Sequence, residues 1–302
     1  MRFLLPTWAY LLVGIGAVVV GLLPWLRTGM RIPLQRLWAR GPVPAESPVM
    51  LLPLNQYYLM TLAALVLTAG AISGVIARGA PPERRRRSGD VAAVGVFLAL
   101  AGCAVQSAFA FTSMHAGAEP DQDGGRVPLV LFLLWVVLST SGAVLLLLLL
   151  ARSTRAGACV AAAIAAPAVG VWLSALTAPH LVTSTAVVSS GDLRMVPAVL
   201  VGLSLAWCGL RTPGRIAAWP MSLILLWVVP AVLTGIGAAA GAGGSPGLMD
   251  RIGATLDVLA YSMRPELVLP ALIVAAAVGL VGTIVLLLVE YFRPVPALAP
   301  SR

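Results

Sequence analysis

Residues 77–90 read A-R-G-A-P-P-E-R-R-R-R-S-G-D, a stretch of five arginines between two apolar runs too long for a soluble core. Short loops rich in Lys and Arg resist translocation and stay on the cytoplasmic face of a membrane. The stretch is therefore predicted to be a cytoplasmic basic loop, and its arginines are Arg78, Arg84, Arg85, Arg86 and Arg87. Once this loop is placed, the direction of every other apolar segment follows.

The composition indicates that lipid is the main solvent of this chain. Of its 302 residues 60% are apolar and 10% are charged, whereas a soluble domain is about 25% charged. The formal net charge is +9, and every basic residue is arginine. These charges lie in short loops between apolar runs, so membrane orientation explains them and no nucleic-acid partner is expected.

Eight apolar segments approach or exceed the length of about 20 residues that a membrane-spanning helix needs. The predicted spans are residues 4–26, 50–76, 91–112, 127–151, 156–177, 195–210, 216–240 and 267–289. The fold class is therefore all-α, a polytopic transmembrane helix bundle of about eight spans in four hairpins, forming one integral membrane domain over residues 1–302. Segment 195–210 is the shortest, and a re-entrant or tilted element is the alternative interpretation there.

The distribution of charge sets the predicted orientation. With both termini in the cytoplasm, twelve of the twenty arginines face the cytoplasm, whereas eight of the eleven acids face outward. The reverse orientation would carry the arginine cluster across the membrane. We therefore predict a multi-pass protein of a bacterial cytoplasmic membrane, with the lipid bilayer as its surroundings.

Six polar side chains in the predicted outer loops form a candidate outer-face site. They are His115, Glu119, Asp121, Asp123, His180 and Asp192. The acidic set starts like a calcium-binding loop, but its twelfth position is Val130 where a bidentate Glu is needed, so a solvated acidic turn is the preferred interpretation. The two histidines are interpreted as ordinary loop residues, with a metal site shared with the nearby acids as the alternative. No metal and no cofactor are predicted.

Gln106 is the most notable polar residue inside a predicted span. A hydrogen bond to a neighbouring helix is the preferred role, and a place along a transport pathway is the alternative. Two further patterns predict packing. Gly70 and Gly74 form a G-x-x-x-G that lets another helix approach closely, and residues 247–261 have the apolar stripe of an amphipathic helix lying on the outer surface.

The sequence contains no G-x-S-x-G, H-E-x-x-H or P-loop motif, so no catalytic residue is assigned. The preferred function is a permease-like or scaffold subunit that works with a partner membrane subunit or an ATPase subunit, docked on the basic inner loops. The alternative is an integral membrane enzyme that acts on a lipid-linked substrate at the outer leaflet. An enzyme requires the outer polar groups to converge in one cavity, whereas a permease requires a polar path near Gln106.

Overall fold

The structure is a computed structural model that describes residues 5–31, 48–55, 58–114, 126–177, 192–241 and 248–292. Every regular element in these ranges is helical. The elements are α1 (Ala9–Arg27), α2 (Leu59–Arg78), α3 (Arg85–Met114), α4 (Arg126–Arg152), α5 (Arg155–Thr177), a one-turn 3₁₀ helix (Asp192–Met195), α6 (Val196–Cys208), α7 (Pro213–Gly241), α8 (Leu248–Ser262) and α9 (Pro265–Tyr291).

Seven helices in the described ranges are long and apolar enough to cross a membrane: α1 to α5, α7 and α9. They confirm the all-helical class and the membrane character predicted from the sequence. Helix α6 covers most of the sixth predicted span, but its 13 residues fall short of the roughly 20 that a span requires. The total of eight spans and the placement of both termini in the cytoplasm stay predictions.

One end of the bundle, which we call the arginine end, gathers the helix termini that carry most of the arginines. Helices α2, α4, α6 and α9 end here, and α3, α5 and α7 begin here. Three contacts establish this end: Arg152 pairs with Asp90, Arg211 pairs with Glu290, and the Arg78 guanidinium lies over the Trp207 ring. The other end of the bundle is called the opposite end.

Glycines allow the backbones of neighbouring helices in the set α1, α2, α3 and α4 to touch. A Cβ atom added to Gly14 of α1 would collide with the carbonyl oxygen of Ala92 in α3, and one added to Gly70 of α2 would collide with that of Ala143 in α4. At Gly74 the added atom would lie 2.9 Å from the Leu147 oxygen. Because lipid is as apolar as a leucine side chain, such close packing is what drives helices together in a membrane. The packing role predicted for the G-x-x-x-G is confirmed.

Helices α5, α6, α7 and α9 share a second apolar cluster that includes Ala163, Val201, Leu205 and Ala275. The amphipathic helix predicted at residues 247–261 is present as α8, and it packs against α7. The exposed apolar side chains of α8 include Met249, Ile252 and Leu256.

The basic loop is shorter than predicted, because α3 already begins at Arg85. Arginine is a good helix former, and this first part of α3 is also packed: Ser88 is 1% exposed. A Cβ on Gly89 would lie only 3.3 Å from that of Ala151 in α4. Arg85, Arg86 and Arg87 are therefore helical, and the connection between α2 and α3 covers only residues 79–84.

The second predicted span also differs, because α2 begins at Leu59 and not near Met50. Residues 50–55 are not helical. Pro53 removes a backbone donor and disfavours helical geometry at the residue before it. The segment is nevertheless deeply buried, since Met50, Leu52 and Leu54 are at most 1% exposed.

Replacing Gly70 by valine is expected to lower the stability of the bundle, because the new side chain would overlap the Ala143 backbone. Overpacking of this kind costs about 1–3 kcal/mol. The matched control is Gly102→Val in α3, where nothing lies within 4 Å of an added Cβ. Thermal unfolding of both variants in mild detergent measures the difference. Equal midpoints for the two variants would contradict the proposed helix contact.

Candidate functional site

The arginine end contains a cleft between α2 and α6, which both pack against α5. We call it the arginine cleft. Its volume is about 540 Å³, and its lining residues are Val75, Arg78, Gly79, Arg85, Ser153, Thr154, Arg155 and Trp207. The connection between α4 and α5 at the cleft is short. Helix α4 ends at Arg152 and α5 begins at Arg155, so only Ser153 and Thr154 lie between them.

Arg78, the last residue of α2, is fixed by the end of α4. Its Nη1 atom donates to the carbonyl oxygen of Leu150 at 2.6 Å and to that of Ser153 at 3.1 Å. The last carbonyls of a helix have no partner within the helix and carry partial negative charge. Arg78 satisfies two of these acceptors, and this contact positions its guanidinium at the cleft.

Two guanidinium groups of the cleft lie over the ring of Trp207 in α6. The guanidinium carbon of Arg78 lies 5.0 Å from the centre of the Trp207 ring, and that of Arg155 lies 5.7 Å from it. Both distances are within the range of cation–π attraction. The indole therefore holds two positive charges near one another in the cleft and is itself 43% exposed.

Arg85, the first residue of α3, contributes the third guanidinium. Its Nε atom is buried and has no hydrogen-bond partner within the described residues. A buried donor without an acceptor costs about 1–3 kcal/mol, so this Nε atom has an unmet need for an acceptor. On the same lining, Thr154 Oγ1 accepts from the Gly157 amide at 3.3 Å and caps the start of α5.

The cleft is strongly positive. Among the described residues its lining contains three arginines and no carboxylate. The two acids in ion pairs at this end, Asp90 and Glu290, pair with arginines that do not line the cleft. Two helices, α3 and α5, also begin at the cleft, and a helix N-terminus adds partial positive charge. This arrangement can hold an anion, and oxygen-rich anions such as phosphate match the fixed planar donors of arginine.

Gln106, the predicted intramembrane polar residue, forms two hydrogen bonds to the backbone of the non-helical segment before α2. Its Oε1 accepts from the Leu51 amide, and its Nε2 donates to the Val49 carbonyl oxygen, both at 2.9 Å. Next to it, Ser107 Oγ accepts from the Leu52 amide at 2.7 Å. The bonds of Gln106 therefore go to the backbone before α2, within the bundle, and not to a second helix.

The outer-face candidates lie almost wholly outside the described residues. This applies to His115, Glu119, Asp121, Asp123 and His180. Asp192 begins the 3₁₀ helix, but its side chain is outside the described part. Whether these groups converge stays a prediction. Within the described ranges, no group of three or more His, Cys, Asp or Glu side chains gathers as metal ligands.

Trp207, Ser153 and Thr154 belong to the cleft but were not predicted as site residues. The stretch Ala151–Arg155, A-R-S-T-R, contains a usable signal, because two hydroxyl side chains stand between two arginines in a tight turn. For Trp207 the sequence offers no comparable signal, since the residue meets Arg78 only through the tertiary fold.

Comparisons with known proteins found no matching family model, no similar curated protein and no similar solved structure.

Replacing Gln106 by leucine is expected to destabilise the protein, because the Leu51 amide and the Val49 carbonyl would lose their bonds to Gln106. The expected loss is about 0.5–1.5 kcal/mol per bond, the usual net contribution of a hydrogen bond, because one bond is partly buried and the other exposed. The control is Thr112→Val in the same helix, whose hydroxyl bonds only to the Phe109 carbonyl one turn away. The readout is thermal unfolding in detergent. An unfolding midpoint for Gln106→Leu no lower than that of the control would show that the Gln106 hydrogen bonds contribute nothing to stability.

Proposed function

We propose that this chain is a scaffold subunit of a membrane complex and that its arginine end holds a partner protein with an acidic surface. The observation that carries the proposal is a set of three exposed arginines at the start of α3. They are Arg84, Arg86 and Arg87, and we call them the arginine trio.

The arginine trio is expected to lie at the aqueous side of the headgroup layer. Six residues, Arg85–Asp90, precede the first apolar residue of α3, Val91, and six residues of helix rise about 9 Å. The headgroup layer on one side of a bilayer is roughly 5–8 Å thick. Arg86 and Arg87 are five and four residues before Val91, about 6–8 Å along the helix, so the trio lies near the outer edge of the headgroups, on exposed positions that a protein in water can reach.

The trio has no ion pair among the described residues. The nearby acid Asp90 is bonded to Arg152. Uncompensated charge on an exposed surface speeds the encounter with a partner of opposite sign and selects against like-charged ones. An acidic surface on the partner is therefore the matching chemistry.

The interior of the bundle favours a scaffold over a permease. A permease requires a polar path, but Gln106 is bonded to the backbone before α2. Two buried hydroxyl groups behave similarly, since Ser174 donates to the Gly170 oxygen and Thr283 donates to the Gly279 oxygen of the same helix; those of Thr68 and Ser73 in α2 are buried without a partner among the described residues. Such bonds satisfy the hydroxyl within its own helix and leave it little capacity for a transported solute.

The predicted location completes the proposal. The arginine end would face the cytoplasm of a bacterial cell, since arginine-rich short loops are retained there. The partner would then be a cytoplasmic or peripheral subunit, and the ATPase subunit expected from the sequence is one protein of this kind.

The experiment is purification from host membranes in mild detergent, with identification of every chain that co-purifies in fixed proportion. We expect a stoichiometric partner with an acidic surface. The triple variant Arg84→Gln, Arg86→Gln, Arg87→Gln is expected to retain at least tenfold less of it, because charge pairs across an interface control association. Recovery should also fall when the salt concentration is raised from 0.15 M to 1 M, which shortens the Debye length from about 8 Å to 3 Å.

The matched control replaces the same three residues by lysine, which keeps the charge and should keep the partner. The remaining arginines of this end stay in place in both variants and continue to favour the same orientation. A wild-type chain that purifies alone, or a partner retained equally by the glutamine and lysine variants, would overturn the proposal.

A further inference from the structure

The arginine cleft has an apolar approach from the membrane. Val75, one turn before Arg78 on α2, is 61% exposed and lines the cleft. On α6, the side chains of Val199, Leu203 and Trp207 are exposed at successive steps of four residues. Residues four apart lie on one face of a helix, so α6 presents a continuous apolar stripe that leads into the cleft.

The arginines at the mouth of the cleft lie at headgroup depth. Arg78 is the last residue of the apolar helix α2, and Arg155 is the first residue of the apolar helix α5. Both residues therefore mark the boundary between hydrocarbon and headgroups, and Arg85 lines the same cleft from the start of α3.

We infer that the arginine cleft binds the phosphate group of an acidic phospholipid whose acyl chain lies along the apolar stripe of α6. The phosphate oxygens would accept from the guanidinium of Arg85, which lines the cleft. The guanidinium of Arg155, held over the Trp207 ring, is the further donor, whereas the Ser153 hydroxyl already donates to the Leu149 carbonyl oxygen.

Net charge selects the lipid class. A zwitterionic lipid carries a choline or ethanolamine cation beside its phosphate, and that cation would meet three arginines with no carboxylate on the lining. An anionic glycerophospholipid has no such cation. Basic pockets between transmembrane helices on the cytoplasmic side recognise anionic headgroups by the same physics.

A free phosphate ion would satisfy the same donors, but it would leave the stripe without a role in binding. The lateral opening beside Val75 and Leu203, both more than half exposed, favours a ligand that has an acyl chain. Phosphate chemistry is common to both sources, and the experiment must separate them.

The test is native mass spectrometry of the full chain in mild detergent, titrated with phosphatidylglycerol and with phosphatidylcholine of the same acyl chains. The wild type is expected to bind phosphatidylglycerol roughly 10- to 30-fold more tightly, the scale that two arginines at an anionic surface provide. The double variant Arg85→Gln, Arg155→Gln is expected to lose this preference. Phosphatidylglycerol should also raise the unfolding midpoint of the wild type but not that of the variant.

The matched control is Arg84→Gln with Arg87→Gln, which removes the same charge from exposed positions outside the cleft and should keep the preference. Arg78 is left unchanged, because its bonds to α4 support the fold. The inference is independent of the proposed scaffold function, since the partner experiment changes the arginine trio and this one changes the cleft.

Three outcomes would overturn the inference. The first is equal binding of the two lipids by the wild type, and the second is an unchanged preference in the double variant. The third is inorganic phosphate or glycerol phosphate that displaces the lipid at equal concentration, which would show a site for the free anion and not for a lipid.

Discussion

The need to satisfy backbone polar groups away from water governs this fold. In hydrocarbon an unpaired amide or carbonyl costs several kcal/mol, so non-helical backbone survives only where protein covers and bonds it. The segment before α2 meets that condition through three side chains. Gln106 and Ser107 of α3 bond to residues 49–52, and the Trp25 indole of α1 donates to the Met50 carbonyl oxygen at 2.8 Å. The register of α1, α2 and α3 depends on this set of bonds.

Tryptophan indoles repeat this role elsewhere in the bundle. Trp172 of α5 donates to the Gly21 carbonyl oxygen of α1 at 2.9 Å, and Trp227 of α7 donates to that of Met263 at 3.2 Å, just before α9. Trp135 of α4 donates to the Leu59 oxygen at the start of α2, at 2.9 Å. An indole has one donor on a large apolar body, so it can bond to a backbone oxygen and fill space between helices at once. Trp172 in particular bonds α5 to α1. It therefore connects the helices of the second apolar cluster (α5, α6, α7 and α9) to the four helices that pack through glycines (α1 to α4).

The fold was largely predictable because its main determinants are local. Helix existence follows from runs of about 20 apolar residues, and the close contact of α2 with α4 follows from the spacing of Gly70 and Gly74. Helix α2 begins nine residues after the start of the predicted span, because residues 50–54 are apolar enough for a helix while their buried, non-helical course involves a bond to Gln106, which is more than 50 residues away. The helical start of α3 was missed for the opposite reason. The charge of its arginines is typical of a loop, whereas the packing of Ser88 and Gly89 against the end of α4 makes this stretch part of the helix.

The candidate site was predictable in its charge but not in its shape. Clustered arginines at short turns place positive charge at one end of the bundle, and Arg78, Arg85 and Arg155 are part of that pattern. The cleft itself arises because α2, α5 and α6 bring residues from distant parts of the chain together around Trp207. Hydropathy and charge patterns contain no information on these tertiary contacts around Trp207, which depend on how three helices pack.

The brevity of α6 has a consequence for the membrane around the protein. Thirteen residues of helix extend only about 20 Å, whereas the hydrocarbon layer is about 30 Å thick. Since Leu203 and Trp207 of α6 are exposed, lipid beside this helix meets a hydrophobic surface shorter than itself. A bilayer responds to such hydrophobic mismatch by thinning locally, at a cost that grows with its resting thickness. The sequence predicts that this segment spans the membrane, so the bilayer is expected to be thinner beside α6 than beside the long helices α3 and α7.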